Sequence, residues 1–197
     1  MNQTETIFEE TLASHCAPVL LGIKSANLVS FSKDRHPGLS SQLRRYSRAL
    51  RAGGLAFEIL CECEKRALVF VYRKALLNSE LSQPAVMDFL HSIGYPHTDL
   101  PGWSDSALRH LKTRIASSGG FPHEIGLFLG YPPADVFGFI ENKGKDFLFS
   151  GYWKVYSDAE QKKQTFAEYT ACRDFLCERI AKGDRLLRLL SASSAAA

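Results

Sequence analysis

With 197 residues, 45% of them hydrophobic and 23% charged, the chain is long enough to bury a core and lacks the bias of a disordered or fibrous protein. The net charge of +3 is too mild to call for nucleic acid or an anionic membrane, and no apolar run approaches the roughly 18 residues of a membrane span. Five cysteines, an odd number, behind an N-terminus with no basic and apolar leader read as reduced thiols of a cytoplasmic protein rather than a disulfide framework.

In chain order, Ile7, Leu12 and Ala13 predict a short amphipathic helix over residues 3–15, which Pro18 interrupts. Leu28-Val29-Ser30-Phe31 reads as a strand, and residues 32–39 as a polar loop with Asp34, Pro37 and Gly38 as turn residues. Ser40 or Ser41 can cap a helix running through Arg51, which Gly53-Gly54 stops. The clearest β signal comes next. Residues 56–61 and 67–72 flank a polar Cys63-Glu64-Lys65-Arg66 link, predicting an antiparallel hairpin with Val69-Phe70-Val71 in a central strand buried on both faces.

Helices are predicted over about 75–81, 83–93 (Pro84 near its first position) and 104–116 (Ser104 as cap), followed by Gly119-Gly120. Two short helices then meet around Gly130-Tyr131-Pro132-Pro133, and residues 151–156 form another strand. The last helix, about 158–181, carries Phe166, Tyr169, Cys172, Leu176 and Ile180 at helical spacing. Residues 191–197 are small and low in complexity, a frayed tail. No repeat or linker divides the chain, so the expected architecture is a single α+β domain over residues 1–190 with a small, mainly antiparallel sheet.

The stretch richest in chemistry is Phe121-Pro122-His123-Glu124-Ile125-Gly126-Leu127-Phe128-Leu129-Gly130-Tyr131-Pro132, followed by Asp135-Val136 and Gly151-Tyr152-Trp153-Lys154-Val155-Tyr156. These blocks resemble the bacterial family catalogued as domain of unknown function 3793. His15-Cys16-Ala17-Pro18 with Gly22, Lys24 and Asn27-Leu28, and further on Val71-Tyr72-Arg73 and Gly94-Tyr95-Pro96, are similar to its other landmarks. The resemblance spans about residues 10–180. It implies a small cytoplasmic protein, of a kind found mostly in anaerobic bacteria, and it carries over no catalytic residue, substrate or cofactor.

The residues themselves suggest more. Pro122 is suited to open a helix, Glu124 to reach its first free amides, and His123 to act as a base or a metal ligand; the plainer reading is that both merely cap a helix docked by Ile125, Phe128 and Leu129. Position 127 is Leu, so the metalloprotease pattern His-Glu-x-x-His fails. Gly126 and Gly130 suit close packing and a left-handed helix stop rather than a phosphate loop. Cys16 beside His15 is a candidate thiolate nucleophile, metal ligand or axial haem ligand, with His123 as base and Glu124 as orienter, against the alternative of an inert buried thiol. Cys61 and Cys63 share a strand face, but Cys172 and Cys177, five apart on a helix, do not complete a zinc set, so the metal is left unknown.

If 151–156 is a strand, Tyr152, Lys154 and Tyr156 share a face that could hold an anion, with Lys24 and Arg73 as further cations and His15 nearby; alternatively Lys154 simply snorkels. Arg44, Arg48 and Arg51 lie on one helix face with Lys33, Arg35 and Arg45 close in sequence, read as a solvated face more readily than a nucleic-acid footprint. The leading expectation is a cytoplasmic protein binding a small anionic ligand, metal or cofactor of unknown identity in one pocket. The alternatives are a thiol or acid–base enzyme using Cys16 and His123, and a redox- or iron-linked accessory protein.

Overall fold

A computed structural model of the protein describes residues 3–96, 102–117 and 121–194. The elements begin with α1 (Gln3–Leu20), β1 (Ala26–Ser32), α2 (Leu39–Leu50), β2 (Leu55–Glu62) and β3 (Arg66–Arg73). Then come α3 (Lys74–Leu81), α4 (Pro84–Ser92), α5 (Trp103–Ser117), α6 (Ile125–Phe128) and α7 (Pro133–Glu141). The last are β4 (Phe149–Ser150), β5 (Lys154–Val155), α8 (Ala159–Ala181) and α9 (Leu186–Ser194). The class is α+β, as the patterning implies. The chain divides into two compact units, residues 1–74 with 169–197, and residues 75–168.

The first unit is built on an antiparallel sheet of order β1-β3-β2, so Val69-Phe70-Val71 does occupy the central strand, fully buried. Val69 faces Val29 on one side and Ile59 on the other, and the β2 register shifts between Ile59 and Cys61. One face of the sheet joins a core of Phe8, Leu12, Cys16, Tyr46, Val69, Val71, Cys172 and Leu176. Phe8 stacks on Phe31 at 5.5 Å and meets Tyr46 edge-on at 4.9 Å.

The first helix does not stop before Pro18. It runs on to Leu20, because Pro18 falls in its last turn, where one missing N–H is tolerable. The carbonyls freed there find donors: Pro18 accepts from the amides of Ile23 and Lys24, and Val19 and Leu20 accept from the Arg73 guanidinium. The second helix starts at Leu39 with Gly38 in the cap position and no side-chain cap, so neither Ser40 nor Ser41 performs that role.

In the second unit, Pro84 opens α4 as expected, and α5 begins one residue before Ser104, which therefore lies inside it. The Gly119-Gly120 stop lies outside the described residues, as do residues 195–197 of the tail. Residues 191–194 belong to α9. The expected strand over 151–156 is instead a tight hairpin: β4 and β5 are two residues each, and the Gly151 amide donates to the Trp153 carbonyl across the bend. Among the described residues, no helix is long and apolar enough to cross a membrane.

Candidate functional site

The second unit contains an apolar pocket of about 380 Å³, within the range of small-molecule sites. The turn before α6 supplies Phe121, Pro122 and His123; α6 and the loop after it supply Ile125, Gly126 and Tyr131. One side of α7 adds Asp135, Val136 and Phe139, and the hairpin adds Trp153 and Lys154. Two glycine-dependent approaches shape this wall. A Cβ on Gly126 would fall 2.8 Å from Val136, and Gly130 turns the chain at φ +69 before Tyr131-Pro132.

The hairpin is held over the pocket by Asp135. Its carboxylate, 1% exposed, accepts from the Trp153 indole (2.7 Å), from the amides of Tyr156 (2.8 Å) and Ser157 (3.0 Å), and from the Ser157 hydroxyl (3.3 Å). With three donors on Oδ1 and the indole on Oδ2, this carboxylate is engaged in fixing the geometry of the hairpin. It also sets the Trp153 ring against Tyr131, stacked at 4.8 Å, and against Phe166, edge-on at 4.5 Å. Among the described residues, the three non-glycine residues in left-handed backbone, Lys143, Asp146 and Asp158, all bracket this hairpin. Such strain persists only where surrounding contacts over-determine the backbone.

Two cation-capable side chains face the pocket. Lys154 Nζ donates to the Gly144 carbonyl at 2.7 Å and lies 4.8 Å from the Phe147 ring centroid. An ammonium carries three protons, so this leaves donors for a ligand. His123 is exposed at the mouth, its ring 5.1 Å from Phe139, and its nitrogens bond to none of the described residues.

The other predicted site residues fall elsewhere. Glu124 neither orients His123 nor caps a helix: α6 is a four-residue turn without a side-chain cap. The Glu124 carboxylate points away from the pocket, pairing with Arg114 Nε at 2.6 Å and accepting from the Tyr95 hydroxyl at 3.1 Å. Burial, then the Glu124 charge, pushes the Tyr95 phenol well above the usual range. Tyr152, in the bend rather than on a strand, packs on Phe166 at 5.3 Å. The Tyr156 hydroxyl is enclosed without a hydrogen-bond partner, its ring packed where a Cβ on Gly138 would lie, 2.6 Å away. Lys154 therefore has no tyrosine pair beside it, because a two-residue strand cannot carry a period-2 face from 152 to 156.

In the first unit, Cys16 is fully buried and burial pushes its thiol up to about 12, the reverse of an activated nucleophile. Its neighbour Lys24, 5% exposed, donates to Asn27 Oδ1 at 2.6 Å and lies over the Tyr169 ring; burial lowers its ammonium to about 7. His15 is exposed, and its carbonyl accepts from the Asn27 amide. Arg73 directs three of its N–H groups at the chain's own carbonyls, those of Val19 (2.7 Å), Leu20 (2.6 Å) and Gly53 (3.0 Å). These residues tie the end of α1 to the sheet. Among the described residues, no group of three or more His, Cys, Asp or Glu side chains could hold a metal ion.

A family model described as "Protein of unknown function (DUF3793)" matches residues 12–190. The chain belongs to this family. The match takes in both the pocket of the second unit and the Cys16–Lys24 segment of the first. No curated protein and no solved structure matches the chain.

Proposed function

We propose that the chain is a bacterial, cytoplasmic binding protein whose pocket in the second unit takes a small organic anion with a flat, apolar body. The observation that carries this reading is the lining itself: stacked Tyr131 and Trp153, Phe139 and Val136 around Lys154, whose ammonium still has protons to donate. Flat rings favour a planar ligand, and with Asp135 engaged by four donors of the hairpin, Lys154 and His123 are the groups that set charge preference. The thiol-enzyme reading gains nothing, since Cys16 is sealed and its proton is held more tightly than usual.

The test uses 1-anilinonaphthalene-8-sulfonate, an aromatic anion, with fluorescence titration on the purified protein. Saturable binding is expected, displaced by indole carboxylates more readily than by neutral indole. Lys154→Met should weaken it by about tenfold, as loss of a charged contact implies, and His123→Glu by a smaller factor. Binding unchanged in Lys154→Met and equal displacement by neutral indole would overturn the reading.

A further inference from the structure

We infer that the outer face of α2 and the adjoining edge of β2 form a binding track for single-stranded nucleic acid. The charge is unevenly divided along the chain: the first unit holds 16 Lys and Arg against 10 Asp and Glu, and the second 8 against 11. Within the first unit the excess is concentrated, for the segment from Arg35 through Phe57 holds five arginines, Arg35 included, and no acidic residue. Leu39, Leu43 and Tyr46 turn one side of α2 into the core, which leaves Arg44, Arg48 and Arg51 exposed in line at successive turns.

These three guanidinium groups have no carboxylate, hydroxyl or carbonyl partner among the described residues. Arg45, off that line, is instead paired with Glu5 at 2.7 Å. Arginines left unpaired in a row are suited to phosphate, which each can grip with two parallel N–H groups.

A groove of about 440 Å³ runs beside the row, between α2 and the edge strand β2. Arg44 and Arg48 form its α2 wall with the hydroxyls of Ser40 and Ser47, and half-buried Phe57 lies on the β2 side with Glu58. Phosphates take the arginine wall. A base turned inward meets the Phe57 ring. A duplex, with its bases paired and stacked, has no base to place there. An acidic peptide would leave the aromatic wall unused.

The test is fluorescence anisotropy with a labelled single-stranded 15-mer of mixed sequence, titrated with the full chain from 50 to 200 mM salt. Wild type should bind with an affinity that falls steeply with salt. Arg44→Gln/Arg48→Gln/Arg51→Gln should weaken binding at least tenfold and reduce the log–log salt slope by about 2, since each phosphate contact on a single strand contributes about 0.7. The control Lys143→Gln/Lys145→Gln/Lys163→Gln, which removes three charges from the second unit, should bind like wild type. The arginines are exposed, so unchanged circular dichroism is expected of the triple variant. No binding at 50 mM salt, equal loss in the control, or equally tight binding of a decaglutamate peptide would each overturn the inference.

Discussion

In the first unit, Lys24 and Arg73 direct their protons at the chain's own oxygens: an asparagine side chain for one, three backbone carbonyls for the other. In the second unit, Lys154 gives one hydrogen bond to Gly144 and otherwise stands among aromatic rings on the wall of a cavity. The sequence offers all three cations on equal terms. What separates them is whether the backbone nearby has acceptors left over. The end of α1, with Pro18 in its last turn, has carbonyls to satisfy, so a cation placed there becomes part of the fold. The hairpin has Asp135 to satisfy its donors, which leaves Lys154 open to a ligand.

Substitutions can break this contrast, and the largest effect is expected at Asp135. Asp135→Ala leaves an indole N–H and two amides buried without an acceptor, for a loss of about 3–5 kcal/mol in urea unfolding, together with loss of the pocket. Close behind comes Arg73→Met, which strands the Leu20 carbonyl and leaves the Val19 carbonyl with the Gly22 amide as donor; it should cost about 1–3 kcal/mol while leaving the fluorescent anion's affinity unchanged. An Arg73 variant that kept its stability and lost the anion would reverse the assignment of the two regions. Lys154→Met should show the opposite pattern, with stability within about 1 kcal/mol of wild type and the tenfold affinity loss already described.

The buried ammonium gives a pH signature. Lys24 sits near 7 in the folded chain against an ordinary value of 10.5, so above pH 7 the unfolded chain binds a proton that the folded chain does not. Stability should therefore rise with pH from about 7 to 9, by up to roughly 1.4 kcal/mol per unit. Above 9 the raised Cys16 thiol, held near 12, opposes the trend. Lys24→Met should abolish the rise, and an unchanged slope in that variant would show that Lys24 is not the group responsible.

The smallest effect is one of rate alone. Cys63 is exposed, and backbone hydrogen bonds around Lys65 and Arg66 lower its thiol, whereas Cys16 is sealed. Iodoacetamide at pH 7.5 should label Cys63 first and Cys16 last by mass spectrometry, with Cys172 also slow. Early labelling of Cys16 would return the thiol to the list of candidate nucleophiles.

Much of the fold was legible from local pattern. The alternation and apolar run of 67–72 specify a central strand whatever packs on it, and Pro84, Gly53-Gly54 and Gly130 punctuate the chain by backbone chemistry that needs no tertiary context. The hairpin at 149–155 was misread because Gly151-Tyr152-Trp153 has the composition of a strand, while its bend is imposed by contacts distant in sequence. The Trp153 indole is drawn to Asp135, and Phe166 fills the space beside Gly151, where a Cβ would come within 2.3 Å of the ring. Glu124 illustrates the same limit. Its place after Pro-His suggested a cap, but Arg114 and Tyr95, ten and 29 residues earlier, set its direction.

The sequence by itself determined the α+β class, the central strand, the family and the segment that walls the pocket, because periodicity, turn chemistry and motif spacing are local properties. Tertiary structure alone decided which ionisable groups were free. That outcome depends on the acceptors within about 3 Å of each nitrogen and on whether water is excluded, and neither is written in residue type or spacing.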